Sequence, residues 1–509
     1  MSVSTLSPQT STNNNIFPVA ILSSGVVLRV VSFIFSANAG GDAWAREART
    51  ALWLQHPSWQ LNFGPWLPLH FWLLGGLATL LGGNVRLAGP LLSLIAGTTS
   101  LIVFYKLVGM LYGKNVAQLA TAVFAFCSLD IAYSGTSSSE ATYLLFVLIA
   151  LFGYFTYRHS GKLKNLSLAG VFFSFASAIR YEAWPLIFAV GLLMIADAWR
   201  KRSHIGFSSS IRALLVFALT SGFFPLLIMA YNWSKFHHLL YGVAINLGLV
   251  ATQLTFDHPS WTYRLSLFPG VLLLTLTPVV VAGAIYGFFL SFKTKVGVEL
   301  SVITAIFAAV QFYQIASGRE MAFARYTITL GTFTAILGAY GLHAICQRYP
   351  KKRLTLRFLF VVVLLLNLFC IWALADSSTR FNEKFASISP ILRYPHHIKS
   401  LADFLRPRLK TENPIVIEEY RDQWNIVAEA AGLPLIPGSQ VMVFSDHTPP
   451  AELFEFIQNR HPLYLIYAPS GLLSKVLPLQ CNVRSAELNV EVSCPFRNDV
   501  YMVYEMNYR

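Results

Sequence analysis

The sequence predicts an all-α polytopic membrane bundle of about 11 transmembrane helices, with interfacial helices in its first external loop and a small C-terminal α/β domain. Three observations carry this. The 509-residue chain is 55% hydrophobic and only 12% charged, whereas soluble domains carry about a quarter charged residues. Apolar runs recur along most of it, each long enough to cross a hydrocarbon core of about 30 Å. From about Asp376 the pattern changes to short apolar runs between polar stretches.

Spans are expected near 17–36, 86–108, 116–134, 140–157, 165–180, 183–199, 210–231, 265–290, 299–317, 325–346 and 355–375. The polar residues 1–16 contain no Lys or Arg and read as a disordered cytoplasmic N-terminus, with the first apolar run as a signal anchor. The stretch 66–82 is apolar but short, and opens Gly64-Pro65-Trp66-Leu67-Pro68-Leu69-His70. If it does not cross, the clusters Lys106/Lys114, Arg158/Lys162/Lys164, Arg200/Lys201/Arg202/Arg212, Lys293/Lys295 and Arg348/Lys351/Lys352/Arg353/Arg357 share one side. That is the cytoplasmic side by the positive-inside rule. The expected arrangement is therefore a cytoplasmic N-terminus, a first external loop over about 37–85, a membrane domain over 17–375 and an extracytoplasmic domain over 376–509. A net charge of +14 distributed in this way excludes a nucleic-acid partner.

In the C-terminal region, Ile415–Glu418, Leu463–Tyr467 and Val500–Tyr504 have strand length, and Ala451–Arg460 has the pattern of an amphipathic helix. Cys481 and Cys494 are the two cysteines outside apolar runs. A hairpin between them, with Val490 and Val492 on one face, brings them within disulfide distance.

Ionisable groups at membrane depth cost about 2.5–3.5 kcal/mol each, so each needs a reason. Here they gather on the outer side: Asp42, Arg46 and Glu47, then Glu140, Arg180 with Glu182, and Arg319, Glu320, Arg325 with Tyr326. Ordinary roles exist for each. Asp42 and Glu140 can cap helices, Arg46 and Arg49 can pair along one helix face, and Arg180 and Arg325 can snorkel. Such roles leave the concentration on one face unexplained. A site that joins a hydroxyl to a sugar held on a lipid phosphate requires this inventory at this depth. A carboxylate takes the acceptor proton or holds a metal that does so, and arginines neutralise the departing phosphate.

These residues also resemble a known pattern. Gly41-Asp42 in the first loop, the Pro- and His-containing stretch 64–70, Asn84-Val85-Arg86-Leu87, Ser139-Glu140-Ala141 and Arg180-Tyr181-Glu182-Ala183-Trp184 follow the order and spacing of the GT-C glycosyltransferase superfamily. The nearest branch is that of the protein mannosyltransferases and aminoarabinose transferases. The likeness runs from about residue 17 to 200, with a weaker echo at Arg325-Tyr326. Where many relatives have two adjacent acids, Asp42 is followed by Ala43.

The resemblance implies an inverting transfer from a polyprenyl-phosphate sugar to a glycan, lipid or protein acceptor on the extracytoplasmic face. Asp42 would be base or metal ligand, with Glu140 or Glu47 as a second acid and a divalent metal as the one cofactor to test for. Arg180, Arg325 and Arg319 are the expected phosphate ligands. Glu47, His70, Glu182 and Tyr326 are the expected substrate contacts. The rival reading is a secondary transporter or flippase for a lipid-linked or anionic substrate. It would place charges near the midplane, often in two repeated halves, and no repeat is visible. His56, His70, His237, His238 and His258 lie in or near external loops without the spacing of a zinc site.

Overall fold

The computed structural model describes residues 16–508 apart from 39–40, 201, 203–206, 258–259, 321–322, 350–352, 377–387, 390, 409–413, 419–426, 428–429, 433–440, 445–447, 469–470, 486–487 and 489. The expected disordered segment 1–16 thus lies almost wholly outside the described residues, as does His258.

Eight described helices are long and apolar enough to cross a membrane, so the chain is a multi-pass membrane protein. They include α1 (Ile16–Phe35), α4 (Val85–Tyr112), α7 (Glu140–Ser160), α9 (Ala183–Arg200) and α10 (Phe207–Phe236). The rest are α12 (Trp261–Ser291), α13 (Lys295–Ala316) and α14 (Ile328–Arg348), which follows a 3-10 turn at Ala324–Thr327. Between them lie α2 (Gly41–Gln55), α3 (Pro68–Leu80), α5 (Lys114–Ala125), α6 (Ser128–Tyr133), α8 (Leu163–Ser177) and α11 (Tyr241–Asp257), with α15 (Arg353–Asp376) closing the bundle.

Three of the 11 expected spans are not among these eight: 355–375, which falls in α15, and two that take a different form. The stretch 116–134 breaks at Phe126-Cys127 into α5 and α6, and 165–180 yields only the 15-residue α8. At 1.5 Å per residue neither α5 nor α8 reaches 30 Å. Continuous hydropathy does not register a turn made of apolar residues. The 13-residue α3 is of similar length, about 20 Å.

Helices α12 and α14 pack closely because glycines face each other. A Cβ at Gly287 would collide with the Leu337 carbonyl, and one at Gly341 with the Gly283 carbonyl. Close approach of backbones through small residues is the usual device where lipid supplies no hydrophobic drive.

The C-terminal region contains a six-stranded sheet in the order β2-β1-β3-β6-β5-β4. The strands are β1 (Ile415–Glu418), β2 (Val441–Phe444), β3 (Tyr464–Tyr467), β4 (Val483–Ser485), β5 (Val490–Arg497) and β6 (Met502–Asn507). The first three are parallel and the rest antiparallel. Helix α16 (His396–Leu405) covers one face, packing with Ile415, Ile417 and Tyr501. Helix α17 (Pro450–Arg460) and the short α18 (Leu473–Val476) cover the other, against Val416, Leu465 and Val492. The expected β4–β5 hairpin forms with Val490 and Val492 buried, and Cys481 and Cys494 are bonded, their Cα atoms 5.4 Å apart.

Trp44 and Ala48 of α2 join the core of the sheet domain beside Ile398, Leu401 and Tyr501. The Ala37 amide donates to the Leu392 carbonyl at 2.9 Å. Helix α2 and the C-terminal domain therefore sit at the same end of the bundle.

Candidate active site

Local sequence explains how this end is assembled. The loop Ser134–Ser139 between α6 and α7 is buried throughout because its neighbours leave it room. A Cβ at Gly89 would strike Ser137, one at Gly97 would strike Ser134, and one at Gly135 would strike Ser32. Asn38 accepts from the Ser137 amide at 2.8 Å and donates to Glu47 Oε1 at 2.7 Å, while the Ser137 hydroxyl also donates to Glu47. His70 Nε2 meets the Ser137 carbonyl at 3.1 Å, so this nitrogen carries the proton. The Leu69 amide on the same helix donates to the Ala178 carbonyl at 3.0 Å.

That packing delivers Glu140 to the first turn of α7, where the helix dipole favours a carboxylate. Its side chain is 3% exposed. Arg180, in the turn between α8 and α9, pairs with it through Nη1 at 2.5 Å. Arg180 Nε donates to Glu182 Oε1 at 2.8 Å, and its guanidinium lies over the Tyr326 ring at 5.3 Å and the Tyr143 ring at 5.9 Å. Arg325, in the 3-10 turn before α14, reaches Asp42 Oδ2 at 2.6 Å and approaches Glu140 Oε1 at 3.7 Å. Asp42, Glu140 and Glu182 thus alternate with the two arginines in one lattice drawn from separate parts of the chain. A recess beside it is lined by Glu140, Tyr143, Arg180, Glu182, Arg325, Tyr326, Ile328 and Thr329.

Asp42 is the most open member, its side chain 31% exposed against 3% for Glu140 and 13% for Glu182. In Arg180, burial opposes the charge, but Glu182 and Glu140 outweigh it and hold the pKa well above the usual value. Burial, reinforced by Glu182, pushes the Glu320 carboxyl well above the usual carboxylate range. Burial and the Arg46 guanidinium push the His70 imidazole down to about 3.

Of the residues singled out from sequence, Asp42, Glu140, Arg180, Glu182, Arg325 and Tyr326 come together. Glu47 and His70 do not join the ion-pair lattice. They are fully buried, and each bonds the 134–139 loop. Arg319 is exposed and lies over the Tyr313 ring at 5.4 Å, without an ion pair among the described residues. Sequence reasoning missed Tyr143, which faces Arg180 from the first turn of α7. Its signal was the i+3 spacing from Glu140.

A divalent metal does not fit these residues. Among the described residues no three of His, Cys, Asp and Glu converge as a ligand set. Asp42, Glu140 and Glu182 are each engaged by a guanidinium, which would repel a dication.

A second charged group marks the opposite end of α7. Arg158 Nε meets Glu299 at 3.0 Å, Arg158 Nη1 meets Asp197 at 3.2 Å, and the Tyr154 hydroxyl donates to Glu299 at 3.1 Å. Eighteen helical steps separate Glu140 from Arg158, about 27 Å. The two charged groups therefore stand about one hydrocarbon thickness apart. Within the intervening bundle, Arg29 pairs with Asp130 and donates to the Gly25 carbonyl at 3.0 Å.

Comparison with known proteins adds three findings. The family described as Dolichyl-phosphate-mannose-protein mannosyltransferase matches residues 56–228. YkcB of Bacillus subtilis (strain 168), whose name proposes a mannosyltransferase, is 30% identical over 138 residues, covering 26% of this chain and 19% of YkcB. The aligned part is thus about a fifth of that curated relative. In three dimensions the chain superposes on ArnT from Cupriavidus metallidurans bound to undecaprenyl phosphate, with TM-score 0.65 and 11% identity over 97% of this chain and 98% of ArnT. The apo form of ArnT gives 0.63 and 12%, over 96% and 97%. The chain has the fold of ArnT.

Proposed function

We propose that the protein is a membrane glycosyltransferase that moves a sugar from a polyprenyl-phosphate carrier to an acceptor hydroxyl on the extracytoplasmic face, with inversion. The observation that carries this reading is the ion-pair lattice at one end of the bundle, in which Asp42 is the one carboxylate open to an incoming group. The undecaprenyl phosphate bound by ArnT, whose fold this chain shares, supports the donor class.

In this reading the acceptor oxygen attacks the anomeric carbon as Asp42 takes its proton. The bond from that carbon to the phosphate oxygen breaks, and the lipid phosphate leaves with the electron pair. Asp42 is placed to serve because it is the most open carboxylate of the lattice. Arg180 and Arg325 supply positive charge where the leaving phosphate gains negative charge. Glu140, buried between them, keeps both guanidiniums in place. The basic clusters at the other end support this orientation, and the disulfide of the sheet domain supports an oxidising compartment.

The test is release of undecaprenyl phosphate from an undecaprenyl-phosphate sugar by purified protein, with Asp42→Asn as the control. Turnover by the parent and none by the variant is the expected result. Equal turnover by both removes Asp42 from the chemistry.

A further inference from the structure

Arg46 lies one helical turn after Asp42 on α2, so the two share a face. Its residue is 4% exposed. One face of its guanidinium lies against the Trp66 ring at 5.3 Å and the Phe71 ring at 5.8 Å. Among the described residues, its Nε and Nη1 have no hydrogen-bond partner and no carboxylate pairs with it. Its neighbours are differently placed: Arg325 is held by Asp42 and Glu140, and Arg180 by Glu140 and Glu182.

An unmatched buried charge is costly. Burial lowers the Arg46 pKa to about 10, which leaves it protonated at neutral pH. The charges that act on it include Asp42, Glu140, Arg180 and Arg325, so it belongs electrostatically to the lattice while bonded to none of its carboxylates. Such a group is preorganised for an anion that arrives from outside the protein.

We propose that Arg46 receives the phosphate of the lipid carrier, its buried N–H groups donating to phosphate oxygens beside Asp42. Arg180 and Arg325 remain tied to their carboxylates until charge builds on the leaving group. This rests on the transferase reading above and adds to it a third cation with a distinct task. Arg46 holds the carrier phosphate whether or not the sugar is attached, and the other two respond to the charge that builds as the sugar–phosphate bond breaks.

The test titrates undecaprenyl phosphate against purified parent, Arg46→Gln and Arg46→Lys while following thermal unfolding. Undecaprenol and inorganic phosphate at the same concentration are separate arms. Undecaprenyl phosphate should raise the Tm of the parent and of Arg46→Lys, and the other two compounds should not. Without lipid, Arg46→Gln should melt at or above the parent, because it removes an unmatched charge. It should need roughly 10- to 100-fold more lipid for the same shift, as expected for losing charged hydrogen bonds. Arg46→Gln that responds to lipid like the parent overturns the inference and leaves the transferase reading intact. The inference also fails if Arg46→Gln cannot fold, since the guanidinium is then structural. Equal stabilisation by inorganic phosphate overturns the lipid as its source. A parent indifferent to undecaprenyl phosphate overturns both readings.

Discussion

Asp42 and Arg325 stand at opposite ends of the membrane domain's sequence and meet at 2.6 Å. This contact fastens the first turn of α2 to the turn that opens α14. A catalytic role for the lattice depends on that closure.

Asp42→Asn should lower transfer by about 10²–10⁴-fold, the usual contribution of a general base. Its Tm should stay within a few degrees of the parent. Asp42 is the most open carboxylate of the lattice, and the amide of Asn keeps an acceptor oxygen toward Arg325. Steady-state rates and a melting curve on the same preparation decide it.

Glu140→Gln and Glu320→Gln should differ in sign. Glu140 is the buried partner of Arg180 and lies near Arg325, so its loss should cost about 3–5 kcal/mol, the range for breaking a buried pair. Burial makes Glu320 hold its proton to higher pH in the folded protein than in the unfolded chain. The unfolded chain releases that proton above about pH 4.5, so folding is progressively less favourable as pH rises past that value. Glu320→Gln should therefore be neutral or stabilising at pH 7 and indistinguishable from the parent near pH 4. Melting temperatures measured across that interval test both statements.

How much of this is legible in the sequence differs by level. The span positions, the sheet domain and the 481–494 hairpin follow from periodicity and length, which are local. Asp42, Glu140, Arg180 and Arg325 stand out because charged residues beside apolar runs are expensive. Their division of labour does not. Only the fold shows that Glu47 and His70, with the same apparent credentials, bond Asn38 and the Ser137 loop. Arg46 looks like an ordinary helix partner of Asp42, whereas Arg325 occupies that carboxylate. The break at Phe126-Cys127 is hidden because both flanks are apolar. Strand β2, Val441–Phe444, carries the same four-residue apolar signal as β1 and went unread.

Topology is open to labelling. With the endogenous cysteines replaced, a cysteine at Lys162 should be shielded from a membrane-impermeant thiol reagent in intact cells. One at Arg460 on α17 should react. The two positions belong to the opposite ends marked by Arg158 and by the sheet domain. The reverse pattern would put the lattice on the cytoplasmic face.

The Cys481–Cys494 bond should appear in non-reduced peptide maps of freshly purified protein. Replacing both residues with Ser should destabilise the sheet domain by about 3 kcal/mol, the chain-entropy value for a loop near 15 residues. Because Trp44 and Ala48 share that domain's core, the variant should also lose transfer activity. Two free thiols in protein prepared with thiols blocked at lysis would contradict the bond.

The central claim, that the lattice around Asp42 is where a lipid-linked sugar reacts, is tested most directly by a density map with an undecaprenyl-phosphate sugar bound to Asp42→Asn protein. The anomeric carbon should face residue 42, with the phosphate within hydrogen-bond distance of Arg46, Arg180 or Arg325. A phosphate seated near Arg158 and Glu299, or with no contact to any of the three arginines, would contradict it.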